Sequence, residues 1–297
     1  MRFRKYHGLG NDFVVVDLRG GAAAPSPLDP AVARRLCDRR LGVGADGVMG
    51  LLPPAEAGND ARMRIINADG SEAEMCGNGI RCLAKYLYEH GAEAPCGHGG
   101  VQRREIRIET LAGLRTCALT LGADGTVATV AVEMGAPELE RGRIPMKGEG
   151  RFVDGWLEVA GQTLKVTAVS MGNPHAVTFV DEEPLPLAET LGPAVEVHPA
   201  FPRRTNAEFA RVADGGAIDL AVWERGCGIT LACGTGACAT AVAAVLTGRV
   251  PEGQETEIRL PGGTLHVTVA KGLTGVTMRG PALEVFLGTL ELVLPAE

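Results

Sequence analysis

Cys76 and Cys233 each stand directly before a Gly-x-Gly, in Cys76-Gly77-Asn78-Gly79 and Cys233-Gly234-Thr235-Gly236. After each motif the apolar spacing changes from that of a strand to that of a helix, so each cysteine is expected at a helix N-terminus. Unpaired backbone N–H groups and the positive end of the macrodipole favour an anion there. For a thiol this lowers the pKa from about 8.5 into roughly the 3.5–7.5 range, which gives thiolate at neutral pH. The glycines let a second group, such as a carboxylate, approach the backbone closely. Two such helix starts facing one substrate would set a thiol on either side of an alpha carbon, with N–H groups from both on its carboxylate. A base on one face and an acid on the other is what inverting a stereocentre requires, and the N–H groups would stabilise the developing carbanion.

Six further cysteines, Cys37, Cys82, Cys96, Cys117, Cys227 and Cys238, lack this context and read as small buried hydrophobes. No Cys-x-x-Cys occurs, which argues against zinc-ribbon, thioredoxin-like and iron–sulfur chemistry. Neither glycine-rich turn carries a nucleotide-binding pattern.

The motif is doubled because the chain is doubled. Gly10-Asn11-Asp12-Phe13-Val14-Val15-Val16-Asp17 aligns with Gly172-Asn173-Pro174-His175-Ala176-Val177-Thr178-Phe179, 162 residues later. Gly44-Ala45-Asp46-Gly47 lines up with Thr205-Asn206-Ala207-Glu208, and the cysteine motifs follow at a spacing of 157, as a shortened loop would give. A polar residue, Asn67 or Glu224, ends an alternating apolar run nine residues before each cysteine. After the first motif, Ile80, Leu83, Ala84, Leu87 and Tyr88 form one helical stripe ending at His90-Gly91. The second helix, from Ala237 to Leu246, is apolar nearly all round and should be buried. Each half therefore reads as strands enclosing a helix. The fold class is α/β (α+β) with two pseudo-symmetric domains, 1–121 and 122–279. The final strand pair, from Gly280 to Leu294, has no partner in the repeat, and 280–297 is expected to return to the first domain.

A chain of 297 residues suits two domains, and 45% hydrophobic with 22% charged residues is a soluble globular composition. A net charge of −7 with scattered Lys and Arg argues against a nucleic-acid or anionic-membrane surface. Arg103-Arg104 and Arg203-Arg204 read as solvated faces. The N-terminus runs straight into a strand pattern, with no apolar leader and no membrane-length segment, so a cytoplasmic protein is expected.

Five of the six asparagines, Asn11, Asn67, Asn78, Asn173 and Asn206, lie inside the repeated blocks. Amides that donate and accept suit the ammonium and carboxylate of a zwitterion, and Glu224-Arg225 adds a charge of each sign for a second polar end. His175 reads either as a structural strand histidine or as a group tuning a thiol; His7 reads as structural.

These blocks, His7 to Phe13, Asn67 to Gly79, Gly172 to His175, Arg204-Thr205-Asn206, and Trp223 to Gly236, resemble the diaminopimelate epimerase family in its order and over almost the whole chain. The resemblance implies interconversion of LL- and meso-2,6-diaminopimelate in lysine and cell-wall precursor synthesis, with no cofactor, no pyridoxal phosphate and no metal. It implies an active site in a cleft between two similar domains, and leaves a homodimer open as the assembly. Carried over by position, Cys76 and Cys233 are the acid–base pair, and Gly77, Asn78, Gly234 and Thr235 hold the reacting carboxylate. Asn67, Asn173, Asn206 and Arg225 match binders of the distal end, Glu224 lies at the amino group, and Asn11 is a further contact. His175 and Glu224 match groups that adjust the thiols. Gly47, Cys227 and Ile229 depart from the family pattern, where glutamine, a small apolar residue and glutamate are frequent. A proline-type or histidine racemase is the alternative within the superfamily; a thiol redox or metal-binding protein and a pyridoxal enzyme are alternatives outside it.

Overall fold

The computed structural model describes residues 1–21, 26–91 and 104–291; Cys96, Arg103 and Leu294 fall outside these. The chain divides into two compact units, Met1–Val132 with Gly280–Glu297, and Glu133–Arg279.

In the first unit β1 (Arg2–Gly8) and β2 (Asn11–Asp17) form an antiparallel hairpin. Its two loop residues, Leu9 (φ 54°) and Gly10 (φ 84°), both take positive φ, the condition of the tight turn that matches strand twist. This turn fixes Asn11 at the first position of β2. Helix α1 (Pro30–Cys37), capped by the Asp29 carboxylate on the amides of Ala31 and Val32, carries the chain to β3 (Gly47–Leu52), parallel to β2. Then follow β4 (Ala61–Asn67), the short β5 (Glu72–Ala73), α2 (Gly77–His90), β6 (Glu105–Thr110), β7 (Gly113–Leu121) and β8 (Val127–Gly135). β6 runs parallel to β4, and β7 and β8 continue antiparallel.

The second unit repeats this order. After β9 (Gly155–Val159) come β10 (Gln162–Ser170), β11 (Pro174–Phe179), α3 (Pro184–Glu196), β12 (Asn206–Val212), β13 (Ile218–Glu224), β14 (Gly228–Ile229), α4 (Gly234–Leu246), β15 (Glu255–Leu260), β16 (Gly263–Val269) and β17 (Val276–Gly280). β11 is parallel to β12 and β13 to β15, as β2 is to β3 and β4 to β6. The last strand, β18 (Leu283–Thr289), pairs with β1 as β9 pairs with β10. Glu284 on β18 takes hydrogen bonds from Tyr6 (2.6 Å) and His90 (2.8 Å) and an ion pair from Arg4.

Each unit encloses one helix: α2 packs on β1, β2, β6 and β7, and α4 on β10, β11, β12, β15 and β16. Helix α4 is buried almost throughout, as its composition implies. Helix α2 differs from the expected single stripe. Gly77 to Tyr86 are all buried, including Arg81 and Lys85, because their charges are met inside; Lys85 reaches Glu89 at 2.7 Å and the Val127 carbonyl at 2.8 Å. The expected domain change at residue 122 precedes β8, whereas the compact units part between Val132 and Glu133, since pairing with β7 carries the first half of β8 with the first unit. Among the described residues the expected final strand pair is one strand, β18, and no helix is long and apolar enough to cross a membrane.

Candidate active site

In the first unit Cys76 is the N-cap of α2, in extended backbone (φ −135°, ψ 118°), and its Sγ accepts from the Gly79 amide at 3.4 Å. Asn11 is held at both ends of its amide. Its NH2 donates to Asp46 Oδ2 at 2.8 Å, which turns Oδ1 toward Cys76 Sγ at 3.6 Å and toward the Asn78 NH2 at 3.3 Å. Asp46 is tied by Arg39 (2.8 Å) to Asp12, and Asp12 bridges Arg39 (2.7 Å) and Lys5 (2.6 Å). Below Asn78, the wholly buried Arg81 donates to Asn78 Oδ1 and the Gly77 carbonyl, both at 3.0 Å, and to the Pro281 carbonyl at 3.2 Å. Asn67, at the end of β4, donates instead to Ser71 Oγ at 3.0 Å.

The second unit repeats the cysteine. Cys233 caps α4 (φ −118°, ψ 109°), accepts from the Gly236 amide at 3.3 Å and lies 3.6 Å from Thr235 Oγ1. Its thiol departs from the lowered pKa expected at a helix start. Burial pushes it well above 9, the carboxylates of Glu224 and Glu208 add to the rise, and the Thr235 and Gly236 contacts oppose it too weakly. Glu224 ends β13 and accepts from the Thr230 hydroxyl at 2.5 Å. The buried Asn206 amide spans two backbone groups, the Pro174 carbonyl and the Arg225 amide, each at 2.9 Å, while the Arg225 guanidinium reaches the Arg203 carbonyl at 3.2 Å. Asn173 Oδ1 lies 2.9 Å from His175 Nε2, and His175 Nδ1 lies 2.7 Å from Glu208 Oε1, with His175 and Glu208 wholly buried.

These twin cysteine caps stand on a chain whose residues 3–140 and 167–285 match the family described as diaminopimelate epimerase. Relatives named diaminopimelate epimerase include one from Heliobacterium modesticaldum, 48% identical over 98% of this chain and 100% of its own length. One from Moorella thermoacetica is 50% identical over the same shares. The chain belongs to the diaminopimelate epimerase family. In fold it is similar to a hydroxyproline epimerase from Agrobacterium vitis (TM-score 0.70, 18% identity, 97% of this chain and 90% of that one). It is equally similar to a probable proline racemase from Agrobacterium radiobacter (TM-score 0.69, 20% identity, 98% and 93%).

At the positions where this diaminopimelate epimerase family member departs from the common pattern, local packing supplies reasons. A Cβ on Gly47 would lie 3.0 Å from the Ile66 carbonyl, so β4 leaves little room for a side chain. Ile229 packs, partly buried, against the apolar core of the second unit. Cys227 is exposed, not the buried hydrophobe expected, because it sits in the turn between Glu224 and Gly228. Strand register also corrects the repeat alignment. Phe13 pairs with Gly47 and His175 with Asn206, so Gly47 matches Asn206, and Met49, opposite Val15, matches Glu208, opposite Val177.

Sequence reasoning passed over Arg81, Glu196 and Glu208. Glu196, at the end of α3, takes hydrogen bonds from Trp223 Nε1 (2.8 Å), the Gly226 amide (3.0 Å) and Arg204 (3.3 Å), and so clamps the turn that carries Glu224 and Arg225. A carboxylate at the C-terminal end of an apolar run, Leu191 to Val195, was the available signal. For Glu208 it was an acid at an inward position of the β12 alternation.

Proposed function

We propose that this chain interconverts LL- and meso-2,6-diaminopimelate by removing and replacing the proton on one alpha carbon with Cys76 and Cys233, in lysine and cell-wall precursor synthesis in the cytoplasm. The observation that carries the reading is the twin cap: each thiol stands in extended backbone, starts a helix, and takes an N–H from the glycine three residues on. The first-turn amides of each helix, at Gly77 and Asn78 and at Gly234 and Thr235, are suited to a carboxylate, whose charge grows as the alpha proton leaves. Two thiols supply both proton transfers, so the step needs neither pyridoxal phosphate nor a metal.

Burial pushes the Cys233 thiol up, which suits the acid partner. A substrate ammonium brought near it offsets the carboxylates and lets it act as the base in the reverse direction. Asn67, Asn173, Asn206, Glu224 and Arg225 serve the distal amino-acid head, and Asn11 and His175 stand beside the reacting centre. Metal-free, pyridoxal-free protein is expected to convert LL-diaminopimelate to the meso form and to leave proline, hydroxyproline and histidine unchanged. Turnover of any of these three, with diaminopimelate inert, reverses the assignment.

A further inference from the structure

The two units follow one plan, but one pair of side chains breaks it. At equivalent places the first unit holds Phe13 and Met49, and the second holds His175 and Glu208. Met49 and Glu208 each reach the second glycine of the adjoining cysteine motif. A Cβ on Gly79 would lie 2.7 Å from Met49 Sδ; one on Gly236 would lie 3.0 Å from Glu208 Oε1 and 3.2 Å from Cys233 Sγ. Apolar side chains therefore fill this space in one unit. A wholly buried acid with a histidine is not needed for packing in the other, and its desolvation is costly.

The pair acts on Asn173. Oδ1 of Asn173 is the atom facing His175 Nε2, so Nε2 carries a proton and donates it. His175 Nδ1 and Glu208 Oε1, 2.7 Å apart, then hold one further proton between them. This makes the pair neutral overall, the state that burial favours. Burial raises the Glu208 carboxyl, with His175 opposing only in part, and Glu208 Oε2 makes no hydrogen bond among the described residues. A carboxylate facing a neutral histidine would instead leave an uncompensated buried charge and Nε2 without a proton. Asn173 would then have to turn its NH2 inward.

We propose that Glu208 is a positioning residue which, through His175, fixes the Asn173 amide with its oxygen inward and its NH2 presented to the ligand, so that this position reads a carboxylate. Asn11, at the equivalent place in the first unit, is set the opposite way: Asp46 holds its NH2, and Oδ1 is the end beside Cys76 and Asn78. The two asparagines thus carry opposite polarity, an acceptor for an ammonium at Asn11 and a donor for a carboxylate at Asn173.

The kinetic arm of the test rests on the proposed diaminopimelate activity; the spectroscopic arm does not. In protein labelled with 15N-histidine, the His175 signals are identified by their loss in H175Q. Wild type and E208Q, whose amide can donate to Nδ1, are expected to show Nε2 protonated. In E208L the unanchored ring samples both tautomers and its two nitrogen shifts converge. On diaminopimelate, E208L is expected to raise KM about tenfold, the worth of one hydrogen bond, with little change in kcat, and E208Q to recover most of that loss. N173D keeps an acceptor for Nε2 but presents an anion, so its KM rises by more than about tenfold. An unprotonated Nε2 in wild type, or in E208Q should E208L not fold, overturns the proposal. So does an N173D enzyme with an unchanged or lower KM, or an E208L protein matching wild type in both readouts. If the wild-type protein does not act on diaminopimelate, the functional reading fails while the nitrogen shifts still decide the role of Glu208.

Discussion

Arg81 donates to Asn78 Oδ1 at 3.0 Å from a position with no exposure to solvent. The same guanidinium takes the Gly77 carbonyl and reaches the Pro281 carbonyl, just before β18. One buried cation thus braces the first turn of α2, orients the Asn78 amide so that its NH2 meets Asn11, and anchors the returning strand. Replacing it with methionine leaves three acceptors without their charged donor. R81M is expected to lose about 2–4 kcal/mol of stability, read from the urea midpoint, and to lower kcat/KM through the freed Asn78. A midpoint equal to that of wild type would show that the three contacts contribute nothing net.

Cys76→Ala and Cys233→Ala should each abolish most epimerisation while leaving the fold intact, since each deletes one of two proton carriers. A positioned acid or base is worth roughly 10²- to 10⁴-fold, so a loss below tenfold at either site would count heavily against the pairing. Cys82 and Cys238 lie buried inside α2 and α4, and burial pushes the Cys82 thiol up to about 12. Alanine at either is expected to change thermal stability and to leave kcat near wild type.

The duplication was legible because it repeats types that are rare elsewhere: cysteine before Gly-x-Gly, asparagine after a glycine turn, and a polar residue closing a strand. Strand and helix periods then placed Cys76 and Cys233 at the starts of α2 and α4. Less local features were hidden. Arg81 falls among apolar neighbours in a helix that looked one-sided, and only the enclosing strands make its whole circumference an interior. The Gly47–Glu208 alignment went astray because the spacing changes between β2 and β3 relative to β11 and β12, and only the hydrogen-bonded register reveals the slip. The raised Cys233 thiol was unreadable for a related reason. The helix-end effect is local, whereas the burial and, after it, the Glu224 carboxylate that outweigh it come from other strands.

Acid should weaken the fold through Asp12. Burial alone would raise this carboxyl, but hydrogen bonds from Arg39 and Lys5 overcome that and hold it down at about 2, against an ordinary value of about 3.9. The folded chain therefore binds the proton less readily than the unfolded chain. The stabilisation is full above pH of about 4 and is lost as pH falls toward about 2. Arg39 is largely exposed, so solvent screening keeps the contribution modest. D12N should be less stable than wild type at neutral pH, and its urea midpoint should fall less steeply between pH 4 and the acid limit. Asp17 and Glu284, also held low by hydrogen-bonded partners, leave a residual slope. Parallel curves for the two proteins across that window would remove Asp12 from the account.

The source of the new alpha hydrogen separates two thiols from one mobile base. Cys76 and Cys233 cap different helices in different units, so a proton taken by one is not carried to the other. The thiol that delivers a hydrogen has exchanged with solvent before substrate arrives, and in deuterium oxide it delivers deuterium. Product formed early in the reaction should therefore be labelled at the alpha carbon. Substrate recovered at the same low conversion should stay mostly protiated, because a thiol is monoprotic and the proton it has just accepted tends to return to the face it left. A single base swinging between faces would pass the original hydrogen into the product and give early product of ordinary mass. Mass spectrometry of the separated LL and meso isomers at low conversion reads both populations in one experiment. Early product largely free of deuterium would defeat the two-cysteine mechanism, whatever the activities of the alanine variants.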